Sequence, residues 1–392
     1  MLKTLKDFDL NNKRVLVRAD FNVPLNKNGV IEDDFRIKQA IPTIDYLRKK
    51  KAKTILMSHL GNPQGKVVEN LRLTSIKKKL EEYLGIKVLK ADDCIGRRVE
   101  NQIKQMKEGE VLLLENLRFY KEEKENSLEF AKSLAGLADI YVNDAFASSH
   151  RSHASIVGVP NYLPSAAGFL LEREIEALSK VLKNPKRPFV AIIGGAKVAN
   201  KIKAIKYFLK NADHLLVGGE IANTILVVKG ICIGRPWPSE QTIEDIKEVD
   251  LTSTNFHLPI DAIVSPNKEG DLYTRKVAPG RARTDELILD VGPETIKVFS
   301  QIIESAGTIV WAGPLGAFEN PLFENGTKSI AEAIVRNRKA FKVAGGGDTV
   351  FALFKFNLRE RFNHISTGGG AMLAYLSGKK LPGLEALKVD RD

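Results

Sequence analysis

Four clusters in the first half of the chain mix cationic, imidazole and amide side chains. They are Arg18-Ala19-Asp20-Phe21-Asn22, Ser58-His59-Leu60-Gly61-Asn62, Glu115-Asn116-Leu117-Arg118, and Asn143-Asp144 followed by Ser149-His150-Arg151-Ser152-His153. Three of the six histidines fall in these clusters, beside several arginines, which suits recognition of a phosphorylated small molecule. In the second half the corresponding clusters are rich in glycine: Gly194-Gly195-Ala196-Lys197, Gly218-Gly219, Gly313-Pro314-Leu315-Gly316, Gly345-Gly346-Gly347-Asp348-Thr349 and Gly368-Gly369-Gly370. Glycine lets backbone N–H groups come close to a phosphate, and a helix that follows adds its partly positive N-terminus. Five such junctions indicate a nucleotide polyphosphate site. Neither the GxxxxGK[ST] spacing nor the dinucleotide GxGxxG fingerprint occurs in them. Lys197 and Lys201 are four apart, so on a helix they share one face, either aimed at phosphates or solvated as a pair.

Each cluster follows a short apolar run, and those runs are the elements that must position it. Val15–Val17, Thr54–Met57, Val111–Leu114 and Ile140–Val142 in the first half read as buried parallel strands. Phe189–Ile193, His214–Val217, Thr308–Trp311, Phe341–Val343 and His364–Ser366 continue the rhythm, with helical patterns between. Repeated β-α-β units give an α/β fold of doubly wound parallel sheets, in which ligands bind at the carboxyl ends of the strands. Between the two sets, Phe169 to Leu178 has helical periodicity that ends near Asn184-Pro185, a connecting helix between domains.

Length and composition bound the alternatives. A chain of 392 residues suggests two or three domains, and 43% hydrophobic with 28% charged residues is ordinary globular composition. The net charge of +12 divides into +7 over residues 1–171 and +5 over the rest, which speaks against a basic nucleic-acid-binding domain or stripe. Runs such as Lys77-Lys78-Lys79 read as solvated helix faces. Cys94 and Cys232 have neither disulfide-framework nor zinc spacing. No apolar run is long enough for a membrane helix and the N-terminus leads straight into charged residues, so a cytoplasmic protein is expected.

Eight ordered strings together resemble the phosphoglycerate kinase family over nearly the whole chain: RVLVRADFNVP from Arg14, SHLGNP from Ser58, ENLRF from Glu115, DAFASSHRSHAS from Asp144, GGAKVANKI from Gly194, WAGPLGAFE from Trp311, GGGDT from Gly345, and the segment Ser366–Leu387. The resemblance implies two doubly wound domains, 1–170 for phosphoglycerate and 186–378 for nucleotide, joined by a connecting helix over 171–185, with 379–392 returning to the first domain. It implies phosphoglycerate contacts from Asp20, Phe21, Asn22, Arg36, His59, Leu60, Gly61, Asn62, Arg118 and Arg151. On the nucleotide side it implies Lys197, Lys201, Gly219, Glu319, Gly346, Gly347, Asp348 and Thr349, with Asp348 near Mg2+. Arg36, Lys197 and the helix N-terminal amides at Gly347 and Gly370 would be the catalytic groups.

The implied reaction is reversible, Mg-dependent transfer of a phosphoryl group from 1,3-bisphosphoglycerate to ADP, giving 3-phosphoglycerate and ATP, and the resemblance favours a monomer. In-line positioning and neutralisation of charge are what such chemistry needs. No general base is required, because the acceptor oxygens are ionised at neutral pH. Domain closure about the connecting helix would keep water from the acyl phosphate. Two positions depart from the family pattern: Asn62 stands where arginine is usual and Ala312 where asparagine is usual. The loss of a cation at position 62 leads to an expectation of weaker phosphoglycerate affinity with activity retained.

Overall fold

A computed structural model of the chain describes residues 2–199 and 201–388. Within the resemblance strings, Asn200 lies outside the described residues, as do residues 389–392 of the returning segment. The chain divides into two compact units. One holds residues through Glu176 together with the chain from Lys380 on, and the other is Ala177–Lys379.

The first unit is built on six parallel strands: β1 (Arg14–Ala19), β2 (Lys53–Met57), β3 (Leu89–Lys90), β4 (Val111–Leu113), β5 (Ile140–Asp144) and β6 (Ser165–Ala167). Their order is β3-β4-β2-β1-β5-β6. β1 is central, with Val15 in register with Thr54 on one side and Ile140 on the other. A strand covered on both faces reads as a continuous apolar run rather than an alternating one, and Val15, Leu16 and Val17 are all fully buried. One core cluster joins Val15, Val17, Leu56, Val111 and Val142 to helix residues Ile37, Ile44 and Leu80. The winding reverses between β1 and β5, so the crevice of such a sheet falls at the ends of those two strands.

In the second unit the chain forms β7 (Phe189–Ile193), β8 (His214–Val217) and β9 (Phe256–His257), then β10 (Ala262–Ser265), β11 (Arg275–Val277) and β12 (Leu287–Val291), then β13 (Thr308–Ala312), β14 (Phe341–Gly345) and β15 (His364–Ser366). Six of these make a second parallel sheet in the order β15-β14-β13-β7-β8-β9. Its core packs Val190, Ile192, Ile309 and Trp311 against Phe299, Ile330 and Leu353. β11-β10-β12 form a separate antiparallel sheet. This sheet has no counterpart in the sequence reading, since its strands are short and β11, Arg-Lys-Val, has no apolar run to mark it.

The nine apolar runs become strands of the two parallel sheets, and the helix after Gly168 runs Phe169–Lys183. Its start is fixed by tertiary structure, because Asp144 Oδ1 at the end of β5 accepts the N–H of Leu170 at 2.9 Å and of Leu171 at 3.3 Å. That satisfies two of the donors every helix start leaves unpaired. The boundary between the two units falls inside this helix. Near the C-terminus, the Gly383 N–H donates to the Ser149 carbonyl at 2.9 Å, which ties the returning segment to the loop after β5.

Candidate functional site

In the first unit the polar clusters emerge from four adjacent strands, β4, β2, β1 and β5. Main-chain ties hold the loops together. Phe21 N–H donates to Ser58 Oγ at 2.8 Å, Gly61 N–H to Asn22 Oδ1 at 2.8 Å, and Leu60 N–H to Asn116 Oδ1 at 3.2 Å. Phe21 and Leu60 are buried in the core cluster, so of the residues singled out by sequence these two have only main-chain groups to offer a ligand.

The charges are unbalanced. Arg36 donates to Asp20 Oδ1 at 3.3 Å and to the Asn22 carbonyl at 2.9 Å. Asp20 is buried, yet its carboxyl is held below the usual carboxylate range, because Arg36 above all, with Arg18 and the Asn22 N–H, outweighs the effect of burial. Arg118 donates to the Gly61 carbonyl at 2.7 Å, while its buried Nε has no hydrogen-bond partner among the described residues. Burial, then the nearness of Arg151 and Arg18, pushes Arg118 down to about 10. Burial likewise drives His59 well below its ordinary value, and drives His153 down to about 3. Cations that depress one another around one carboxylate favour an incoming anion.

Arg36 sits in the first turn of the helix Phe35–Lys49, which has no acidic residue there. A cation at that end opposes the helix dipole, and an anion placed between them relieves the conflict. Arg151 is exposed. Asn62 is also exposed, and its Oδ1 lies 3.5 Å from Lys124 Nζ, so an ammonium group already stands beside the position where the resemblance led to a missing cation.

Sequence reasoning named Arg18 within its cluster without giving it a role. The side chain is fully buried and bonds Ser155 and His59. An arginine inside an otherwise apolar strand, RVLVRA, was the available signal. Ser155, buried completely, closes the string DAFASSHRSHAS without a role given to it, and Glu123, equally buried, had no signal.

The second unit presents its glycines at the same carboxyl ends, and several serve backbone approach within the chain. A Cβ on Gly194 would stand 2.1 Å from the Pro314 carbonyl oxygen, and one on Gly313, whose φ is +101°, 2.1 Å from the Gly194 oxygen. These two glycines let the ends of β7 and β13 touch. Gly347 differs, since a Cβ there would meet nothing within 4 Å. It opens the helix Gly347–Lys355 and is exposed, as is Asp348. Thr349 is buried, with its hydroxyl accepting the Gly313 N–H at 2.6 Å. Gly346 precedes that helix at φ +103°, and Gly370 lies in the first turn of the helix Gly369–Leu376.

A cavity of about 380 Å³ is lined by Gly219, Leu226, Pro314, Leu315, Glu319 and Asp348 among others. Three residues singled out by sequence, Gly219, Glu319 and Asp348, thus share one wall system. Lys197 lines a neighbouring cavity of about 440 Å³ with Trp237, and the two cavities have Ala196, Glu220 and Asn223 in common.

The shared helical face expected for Lys197 and Lys201 is not formed. The helix begins only at Ile202, with Lys201 at its cap, because Lys201 N–H turns back to the Val198 carbonyl at 2.8 Å. Lys197 is exposed, whereas Lys201 is half-buried with its ammonium donating to the Gly194 carbonyl. Burial lowers Lys201 to about 8, with Asp348 opposing the shift and Lys197 adding to it.

Among the described residues no group of three or more His, Cys, Asp or Glu is arranged to hold a metal. Asp348 is thus a carboxylate outside any such group. This donor set fits Mg2+, which keeps its waters and commonly takes one or two protein carboxylates along with substrate phosphates.

Residues 5–379 match the family model described as phosphoglycerate kinase. Among curated proteins, the chain is 50% identical to the phosphoglycerate kinase of Dictyoglomus turgidum and 48% identical to that of Moorella thermoacetica, each alignment covering 98% of both chains. Among solved structures, it is similar to phosphoglycerate kinase from Coxiella burnetii (39% identity, TM-score 0.82, 99% of each chain) and to that from Pyrococcus horikoshii (34% identity, TM-score 0.87, 99% of this chain and 98% of the other). With a family model matched over residues 5–379 and relatives about half identical over almost their whole length, the chain belongs to the phosphoglycerate kinase family.

Proposed function

We propose that the chain transfers a phosphoryl group reversibly between 1,3-bisphosphoglycerate and ADP, with the cation cluster of the first unit holding the phosphoglycerate and the cavity of the second holding the nucleotide. The observation that carries the assignment of sides is the contrast between them. One sheet end has Arg18, Arg36, Arg118 and Arg151 near the carboxylate of Asp20, and the other has an exposed helix N-terminus at Gly347 beside a nucleotide-sized cavity.

In this reading Arg118, with its unpartnered Nε, and Arg151 bind the three-carbon phosphate. Asn22, His59 and the Gly61 main chain orient the carboxyl end, and Asn62 with Lys124 borders it. Gly219 and Glu319 hold the nucleoside, and the amides after Gly346 face the phosphates. Glycine at 347 answers no contact inside the chain, so its smallness serves what approaches from outside. Arg36, Lys197, Lys201 and the amides at Gly347 and Gly370 neutralise the group in transit. Mg2+ bound to the nucleotide phosphates, with Asp348 as its protein ligand, would add further charge neutralisation.

No side chain has to remove a proton, because the 3-phosphoglycerate carboxylate is already ionised at neutral pH. The half-sites act together only on closure of the two units, which keeps water from the acyl phosphate. A monomer in the cytoplasm is the state this reading favours, and no helix among the described residues is long and apolar enough to cross a membrane.

A coupled assay with 3-phosphoglycerate, ATP and Mg2+ tests the proposal. Turnover that collapses in Lys197→Ala is expected. Absence of turnover in the parent protein, or equal turnover in the two, would overturn it.

A further inference from the structure

Behind the cation cluster, three hydrogen bonds run in series through groups that are almost wholly buried. Glu123, in the short helix Lys121–Glu125, accepts from Ser155 twice: the hydroxyl donates to Oε1 at 2.6 Å and the backbone N–H to Oε2 at 2.9 Å. Ser155 Oγ in turn accepts Arg18 Nε–H at 2.8 Å. Arg18 Nη2 lies 3.1 Å from His59 Nδ1. Glu123, Ser155 and Arg18 are fully buried and His59 is 4% exposed.

The direction of every bond is fixed by chemistry. A guanidinium has only donors, so His59 Nδ1 must accept and the ring proton resides on Nε2. Ser155 Oγ is occupied as an acceptor by Arg18, so its own proton goes to the carboxylate. A buried donor or acceptor left without its partner costs about 1–3 kcal/mol, which holds the series in this one arrangement. With the opposite tautomer, His59 would meet Arg18 donor to donor and would turn a lone pair, not an N–H, toward an incoming anion.

We propose that Glu123 and Ser155 are positioning residues for phosphoglycerate recognition: through the Ser155 hydroxyl, Glu123 aims Arg18, and Arg18 fixes His59 as the Nε2–H tautomer, so that the imidazole meets the substrate as a donor. The substrate side of this inference rests on the function proposed above, whereas the tautomer does not.

Two-bond 1H–15N correlations on the full labelled chain read the His59 tautomer directly, and steady-state kinetics read its consequence. In the parent protein His59 is expected as Nε2–H. Ser155→Ala removes one buried oxygen and leaves the Glu123 contact to the backbone N–H in place. It should give a mixture of His59 tautomers and raise the KM for 3-phosphoglycerate about tenfold, the low end for loss of an outer-shell partner, with the KM for ATP unchanged. Glu123→Gln should shift both readouts in the same direction, and it decides the question if Ser155→Ala does not fold.

An Nδ1–H tautomer in the parent overturns the inference. So do unmoved His59 signals in a folded variant, which mark a merely structural contact, and altered signals with an unchanged KM for 3-phosphoglycerate. If the parent shows no turnover while the His59 signals respond to Ser155→Ala, the functional reading fails and the buried relay stands.

Discussion

In the proposed function, the two units use the same sheet architecture to meet phosphate in opposite ways. In the first, side-chain cations project from loops after β4, β2, β1 and β5, and burial, joined by the repulsion of Arg151 and Arg18, lowers Arg118 to about 10. In the second, loops after β7, β8, β13, β14 and β15 bring glycines and helix starts to the edge. The contrast teaches that an open parallel sheet fixes where a ligand goes, while loop composition decides how it is held. Side chains can fit one small asymmetric acid. Backbone amides suit a polyphosphate, whose position matters more than its identity.

The largest expected effect tests the side-chain half. Arg36→Ala should lower kcat by about 10²–10³-fold, the usual loss for one preorganised group that stabilises transition-state charge, and should leave ATP binding by the second unit unchanged. Equal losses in kcat and in ATP affinity would break the division of labour.

Next in size is a pH effect, and here the two units behave alike. Burial raises the Asp144 carboxyl to about 6 and the Asp290 carboxyl to about 7. A raised carboxyl pKa means that the folded state holds the proton more tightly than the unfolded one. Its contribution to stability is therefore full below about pH 4 and is lost as pH rises through the folded value. For Asp144 the loss is on the order of 3 kcal/mol, from a shift of about two units. Urea unfolding between pH 4 and 7 should show Asp144→Asn flattening this slope. An identical slope in the variant would mean that the carboxyl is already ionised in the fold.

A smaller effect sharpens the backbone half. Gly313→Ala should cost about 1–3 kcal/mol, since the residue holds φ +101° and its Cβ would strike the Gly194 oxygen. Gly347→Ala should leave stability within about 0.5 kcal/mol, as expected for a surface position, while weakening ATP binding. Thermal melts and ATP titrations of the two variants separate a glycine needed by the chain from one needed by a ligand. Matching behaviour of the pair would erase that distinction.

The smallest effect concerns Asn62. With Lys124 beside it, Asn62→Arg should lower the KM for 3-phosphoglycerate by no more than a few-fold, and Lys124→Ala should raise it. No change in either variant would remove position 62 from the account of affinity.

Much of this was legible in the residues. The nine apolar runs carried the strands because a doubly covered strand must be apolar throughout, and the clusters after them carried the candidate site because loops at strand ends bear function. The illegible parts share one cause, which is dependence on partners far away in sequence. Lys197 and Lys201 are spaced for a helix face, but the Val198 turn delays the helix to Ile202. Phe21 and Leu60 sit inside ligand-like strings, yet their side chains complete the core. Glu123 reads as one of several acids in KEEKE, and only the fold carries it to Ser155, 32 residues on.

By itself the sequence determined the class of fold, the two halves, the family and the clusters that gather at the strand ends, because strand periodicity and motif order are local properties of the chain. Tertiary structure alone decided which glycines touch backbone and which stand open, which carboxyls burial pushes upward, that Lys124 stands beside Asn62, and that a buried acid reaches His59 through a serine and an arginine. Those outcomes depend on desolvation and on hydrogen-bond direction, which exist only once distant segments exclude water from one another.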